Sequence, residues 1–241
     1  MLKKTQIMNR LLVFTFLLVL PSIYQAQTWF EVGLKGGPAT TFLISKDIFD
    51  DTSFDHILTG TYFYGAKVGV NFGPHNGVAL HAGGTKLNQN FNNKYQTQTF
   101  DRRNFNAQVI ELGVLYHRTK ESGYFEVGPK MSLVQNAFIS DDGGAKIDFE
   151  DHVNRAYYGA DLGFGAYVIG NKQLSVMMGL RFSYGFSNMM DSAEPLAPMQ
   201  AQYSNASSVH VLSAMFSIEL NYSLGYLVRS TCGNRSTWIS F

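Results

Sequence analysis

The sequence predicts an all-β protein, an eight-stranded antiparallel up-and-down transmembrane β-barrel exported to the cell outer membrane. Three observations carry that prediction. Apolar residues alternate with polar or tiny ones in eight separate segments, which is the two-residue period of a strand. The connections between those segments alternate between short and long. Charged side chains gather on one face of the strands and are almost missing from the other.

The first segment, WFEVGLKGG (29–37), places Phe30, Val32 and Leu34 on one face and Glu31, Gly33 and Lys35 on the other. Residues 61–72 set Tyr64, Ala66, Val68 and Val70 against Gly65, Lys67, Gly69 and Asn71. A third segment lies near 78–90. The fourth, 107–118, sets Ile110, Leu112, Val114 and Tyr116 against Glu111, Gly113 and His117. Residues 124–136 oppose Phe125, Val127, Met131 and Leu133 to Glu126, Gly128, Lys130 and Ser132. Residues 157–169 oppose Leu162, Phe164, Ala166 and Val168 to Asp161, Gly163, Gly165 and Tyr167. Residues 174–186 oppose Val176, Met178, Leu180 and Phe182 to Gly179, Arg181, Ser183 and Gly185. The eighth segment, 208–223, opposes Leu212, Ala214, Phe216, Ile218 and Leu220 to Ser213, Ser217, Glu219 and Asn221.

Links two, four and six are turn-like: 73–77, 119–123 and 170–172. Links one, three, five and seven are long and polar, near 38–60, 91–106, 137–156 and 187–207. Short periplasmic turns and long extracellular loops are the mark of an outer-membrane barrel. A soluble eight-stranded barrel would carry its apolar face inside and its charges outside. Here the polar face holds Glu31, Lys35, Lys67, Glu111, Glu126, Lys130, Asp161, Arg181 and Glu219. A Lys or Arg facing lipid at the bilayer midplane costs about 2–4 kcal/mol. Facing inward, these groups can neutralise one another in a lumen that eight strands leave just wide enough for side chains. Glycines beside them leave room for long side chains, so a lumen plugged by a salt-bridge network is expected, with pairs such as Glu126 with Lys67 or Lys130. Trp29, Tyr62, Tyr64, Tyr116, Tyr124, Tyr158, Tyr184 and Tyr222 lie near strand ends and predict an aromatic girdle.

Composition sets the outer limits. A chain of 241 residues holds one barrel domain, expected over 27–227. Lys+Arg 19 against Asp+Glu 18 leaves no basic excess to attract nucleic acid, and none is expected as a partner. The single Cys232 allows no internal disulfide. Lys3, Lys4 and Arg10 precede an apolar run from Leu11 to Leu20, followed by Pro21, Ser22 and Ala26. That order reads as a signal peptide over 1–26, too short in its apolar part to span a bilayer of about 30 Å as a helix.

Candidate chemistry is sparse. Carboxylates cluster at 46–56 (Asp47, Asp50, Asp51, Asp55) and at 141–152 (Asp141, Asp142, Asp148, Glu150, Asp151). Their spacing fits no calcium loop, so they read as solvated loop surface, and no metal or other cofactor is expected. His210 and Ser213 share a strand but point to opposite faces; His81 and His117 lie near the polar face. No catalytic residue is therefore assigned.

WFEVGLKGG (29–37) and YFEVGPK (124–130) resemble the opening and central strands of the PorT-like outer-membrane β-barrel family of Bacteroidota. The resemblance runs over most of the mature chain as a pattern. It implies an eight-stranded barrel akin to the OmpA membrane domain and OmpX, in a porin-related family whose name-giving member serves type IX secretion. One departure is the tail: about 14 residues (228–241) follow the eighth strand, either as a terminal strand segment ending in Phe241 or as a periplasmic extension. The expected function is that of a non-enzymatic barrel acting through its loops and protein partners, with secretion or envelope-assembly proteins, outer-membrane lipid and lipopolysaccharide as its contacts. A small-solute porin and a lipid-modifying enzyme are the alternatives.

Overall fold

A computed structural model describes residues 28–50, 54–94, 102–141, 146–171, 173–190 and 208–226. The expected signal peptide, the C-terminal tail and Cys232 lie outside the described residues. Among the described residues ten strands run in chain order: β1 (Thr28–Ile44), β2 (Phe54–Ile57), β3 (Thr59–Phe72), β4 (Asn76–Asn93), β5 (Arg102–Lys120), β6 (Gly123–Asp141), β7 (Lys146–Asp148), β8 (Ala156–Gly170), β9 (Leu174–Gly185) and β10 (His210–Tyr226). Eight of them close a ring in the order β1-β3-β4-β5-β6-β8-β9-β10, every pairing antiparallel. Closure leaves no sheet edge for backbone groups to waste in lipid. The two extra strands are short, β2 pairing with β4 and β7 with β6 beyond the ring. No described helix is long and apolar enough to cross a membrane.

Three tight turns close one end. At one of them Gly73 has φ 69°, and at another Glu121 takes φ 55°, a region that costs a residue with a Cβ. The long connections gather at the other end. There α1 (Lys46–Asp50) and a 3-10 turn (Glu150–His152) sit between strands.

The strands run further than the sequence reading placed them. β1 continues to Ile44, β4 to Asn93 and β6 to Asp141, while β5 starts at Arg102, so parts of the expected loops 38–60, 91–106 and 137–156 are strand. The reason is a change of sign in the alternation. Along β4 the odd positions face inward throughout, but Gly77, Ala79 and His81 give way to Leu87 and Phe91. Outward, Val78 and Leu80 give way to Lys86, Asn88 and Asn90. An apolar-outside pattern fails from that inversion onward, while the strand runs on to Asn93. On β6 a bulge adds to the effect, because Val134 pairs with Val109 and Asn136 with Gln108, leaving Gln135 extra. It turns Ala137 and Ile139 inward.

The girdle also needs one correction. Tyr62, Tyr64, Tyr116, Tyr158, Tyr184 and Tyr222 are exposed on the barrel wall, and Trp29 is half-buried. Tyr124 instead lies inside, edge-on to Tyr167 with ring centroids 6.2 Å apart. It shares the parity of the buried Glu126, and Gly179 and Gly165 beneath it supply the space that any Cβ would close.

Candidate functional site: the barrel interior

The interior has two storeys, and every barrel strand contributes to the lower one. Glu31, Lys35, Lys67, Glu111, Glu126, Lys130, Asp161, Arg181 and Glu219 are all buried. Eight of the nine face a glycine across the ladder. Glu31 opposes Gly69, Lys35 opposes Gly65 and Lys67 opposes Gly33. Glu111 opposes Gly83, and Lys130 lies between Gly113 and Gly159. Glu126 and Arg181 both oppose Gly163, and Asp161 opposes Gly128. Glu219 is the exception, set between Lys35 and Met177. The other eight therefore lie over positions that have no side chain, which lets a narrow barrel hold so many of them.

Two ion networks result. Lys67 Nζ lies 3.0 Å from Glu31 Oε1 and also pairs with Glu219, joining β1, β3 and β10. In the second network Lys130 Nζ donates to Glu111 Oε1 at 2.5 Å and lies 3.7 Å from Asp161. Arg181 donates to Glu126 Oε2 at 2.7 Å and approaches Asp161 at 3.9 Å. His81 Nε2 is 3.5 Å from the same carboxylate, reaching from β4 to β8 across the lumen. Glu126 thus pairs with Arg181, not with Lys67 or Lys130 as the sequence suggested. Neighbouring strands are offset along the barrel, so sequence spacing alone does not say which charges meet. Lys35 makes no ion pair or hydrogen bond among the described residues, although Glu219 is its partner across the ladder.

Ser183 donates to Asp161 Oδ1, and His81 faces the other oxygen of that carboxylate. The serine gives its hydrogen bond to the acid and not to the imidazole, so the imidazole is not placed to take the serine proton as a nucleophilic triad requires. His210 is half-buried on the outer wall, its Nδ1 3.0 Å from the Gly185 carbonyl and its ring stacked on Tyr184. Ser213 is buried inside.

The upper storey is apolar. Leu43, Leu87, Phe91, Phe105, Val109, Ile139, Tyr157 and Val211 from the strands pack with Ile48 of α1, Phe149, Val153, Met189 and Met190 from the connections. Polar ties hold these connections in place. The Asn154 side chain donates to the Asn188 and Met190 carbonyls at 3.1 and 3.0 Å. Asn188 Oδ1 accepts from the Met190 and Val209 N–H groups at 3.2 and 2.8 Å. Where β3 has ended, Gln89 Oε1 accepts the Leu43 N–H at 3.2 Å, and Thr41 Oγ1 both donates to and accepts from the Asn88 backbone. These ties escaped the sequence reading, because Asn, Gln and Thr in polar stretches look like ordinary loop residues.

The acidic clusters are dispersed where they are described. Asp55 is exposed and pairs with Lys94 at 2.9 Å. Asp148 accepts the Glu150 N–H at 3.0 Å. Asp51 and Asp142 lie outside the described residues, and no group of His, Cys, Asp or Glu with metal-holding geometry occurs among the described ones.

Residues 25–191 match the family model of the outer membrane protein beta-barrel domain. The chain belongs to this family. It is an outer-membrane β-barrel protein, with its long connections on the extracellular side by the rule of such barrels. Among solved structures it is similar to the outer membrane protein OprG from Pseudomonas aeruginosa, with 14% identity over 82% of this chain and 98% of that one, TM-score 0.46. Neisserial surface protein A shares 14% identity over 80% of this chain and 96% of its own, TM-score 0.41. Ail, the attachment invasion locus protein of Yersinia pestis, shares 13% over 80% of this chain and 98% of its own, TM-score 0.37. No curated protein matches the sequence.

Proposed function

We propose that this outer-membrane barrel is non-enzymatic, keeps a closed lumen and acts through its extracellular end on protein partners, as an accessory to secretion or envelope assembly. The observation behind this reading is the double filling of the interior. The Arg181–Glu126 ion pair and the approach of His81 to Asp161 span the lower lumen, and an apolar cluster sits above them at the barrel mouth. A pore would need neither, and a path for small solutes would have to break both. The placement of the serine, imidazole and carboxylate speaks against acyl-transfer chemistry in the lumen. The PorT-like wording at 29–37 and 124–130 supports the narrower family and the link to export machinery. Outer-membrane lipid and lipopolysaccharide are its further contacts.

Affinity capture of the tagged full chain from native outer membrane tests the reading, with co-purifying proteins identified by mass spectrometry. A stable partner from the secretion or envelope-assembly machinery is expected, together with no measurable ion conductance in planar bilayers. Steady conductance without such a partner would overturn the proposal in favour of a porin.

A further inference from the structure

Above the apolar band the outer wall is not the same on all sides. On β4 the outward positions pass from Val78 and Leu80 to Lys86, Asn88 and Asn90. On β5 they pass from Ile110 to the exposed Gln108 and the half-exposed Asn104, with the buried Asn106 between them, and β6 adds Asn136 and Phe138. The ladder brings these into rows, with Lys86 beside Gln108 beside Asn136, and Asn90 beside Asn104. On the opposite side, outward positions near the same end stay apolar or aromatic: Phe42 on β1, Tyr158 on β8, Tyr184 on β9 and Leu212 on β10.

We propose that this amide-rich wall of β4, β5 and β6 binds the saccharide headgroup of an anionic outer-leaflet glycolipid of the lipopolysaccharide class. The wall continues the lipid-facing surface without a break: Gln108 is the next outward residue after Ile110, about 7 Å further along the strand. Acyl chains packed against Ile110 and Leu80 therefore put their own headgroup against Gln108, Lys86 and the asparagines. Each amide offers two donors and an acceptor oxygen, a match for sugar hydroxyls. Mutual hydrogen bonds hold the amides in place, Asn136 to Gln108 at 3.1 Å and Asn106 to Asn104 at 2.9 Å. Gln108 and Asn136 are exposed, and Asn88, Asn90 and Asn104 are half-exposed.

Charge fits the same ligand. The described outward positions of β4 from 86 to 92, β5 from 102 to 108 and β6 from 136 to 140 include Lys86 and Arg102 but no carboxylate. At the rim beside Asn92, Asp55 is already paired with Lys94. A phosphate on the sugar would meet Lys86 at the boundary.

This inference deepens the proposed lipopolysaccharide contact and rests on the outer-membrane placement, not on the protein partner. The test uses the full-chain barrel in detergent with five probes: rough lipopolysaccharide carrying core sugars, the same lipopolysaccharide dephosphorylated, lipid A without core sugars, phosphatidylglycerol and inorganic phosphate. The wild type is expected to prefer rough lipopolysaccharide to lipid A by about tenfold or more, as several amide hydrogen bonds would give. The combined variant Asn90→Thr, Asn104→Thr and Gln108→Thr is expected to lose that preference while keeping lipid A binding and its heat-modifiable mobility. Lys86→Gln, which leaves the amides intact, is expected to weaken phosphorylated but not dephosphorylated lipopolysaccharide. Equal wild-type affinity for lipopolysaccharide and lipid A overturns the proposal. So does retention of the preference in the triple variant, and so does binding that inorganic phosphate alone competes away. Partner capture by a triple variant that has lost the preference would leave the functional reading standing, so the two can fail separately.

Discussion

Two halves of one strand, β4, build opposite interiors. Around His81 the barrel is wet-sided within and apolar outside: the imidazole faces Asp161 while Leu80 faces lipid. Around Leu87 and Phe91 it is apolar within, and Asn88 and Asn90 face outward. β5 repeats the change between Ile110 and Gln108, and the β6 bulge at Gln135 stands at the same level. On β1 and β10 the inner face also changes, to Leu43 and Val211, while Phe42 and Leu212 keep the outer face apolar. The difference teaches where the solvent changes. Inside hydrocarbon the charges must hide in the lumen; beyond it the same strands obey the rules of a soluble protein.

The two storeys should fail in different ways. Lys67→Met leaves Glu31 and Glu219 buried without their cation, and breaking such a pair costs about 3–5 kcal/mol. Urea unfolding in detergent should show loss of the whole barrel, with less of the compact SDS-resistant form. Phe105→Ala empties the apolar storey at a cost of about 3–5 kcal/mol. Because that storey packs the long connections onto the barrel mouth, the loss should show as protease cleavage of those connections while the rest of the barrel stays SDS-resistant. Equal behaviour of the two variants would erase the distinction.

Outward substitutions sharpen the comparison. Val68→Lys places an ammonium against lipid and should cost about 2–4 kcal/mol near the midplane. Asn90→Lys, on the outward face above the band, should stay within about 0.5 kcal/mol in the same unfolding assay. Asp55→Asn belongs at the same small end. Its pair with Lys94 is largely exposed, so about 0–1 kcal/mol is at stake, and salt should remove it. A larger loss would mean that the mouth depends on its surface charges.

Much of this was legible in the sequence. Period-two alternation located eight strands, and the placement of Glu31, Lys67 or Arg181 opposite apolar neighbours pointed to the inward face. What hid was whatever depends on a change of solvent or on the third dimension. The extensions of β1, β4, β5 and β6 look like loops because Leu43, Phe91, Phe105 and Ile139 reverse the expected polarity, and because Gln135 shifts the parity. Tyr124 was legible in principle, since it shares a face with Glu126, but its place near a strand end suggested the girdle. The pairing of Arg181 with Glu126 was not legible, because it joins β9 to β6 past an intervening strand. The glycines opposite eight of the nine buried charges show only once the register is known.

The polarity inversion can be measured directly by depth along β4. With the single Cys232 replaced by Ser, spin labels placed one at a time at positions 78, 80, 82, 86, 88, 90 and 92 report lipid or water by their collisions with oxygen and with a water-soluble nickel complex. The account predicts lipid exposure from 78 to 82 and water or headgroup exposure from 86 onward. Lipid exposure continuing through 90, or water at 80, would contradict it.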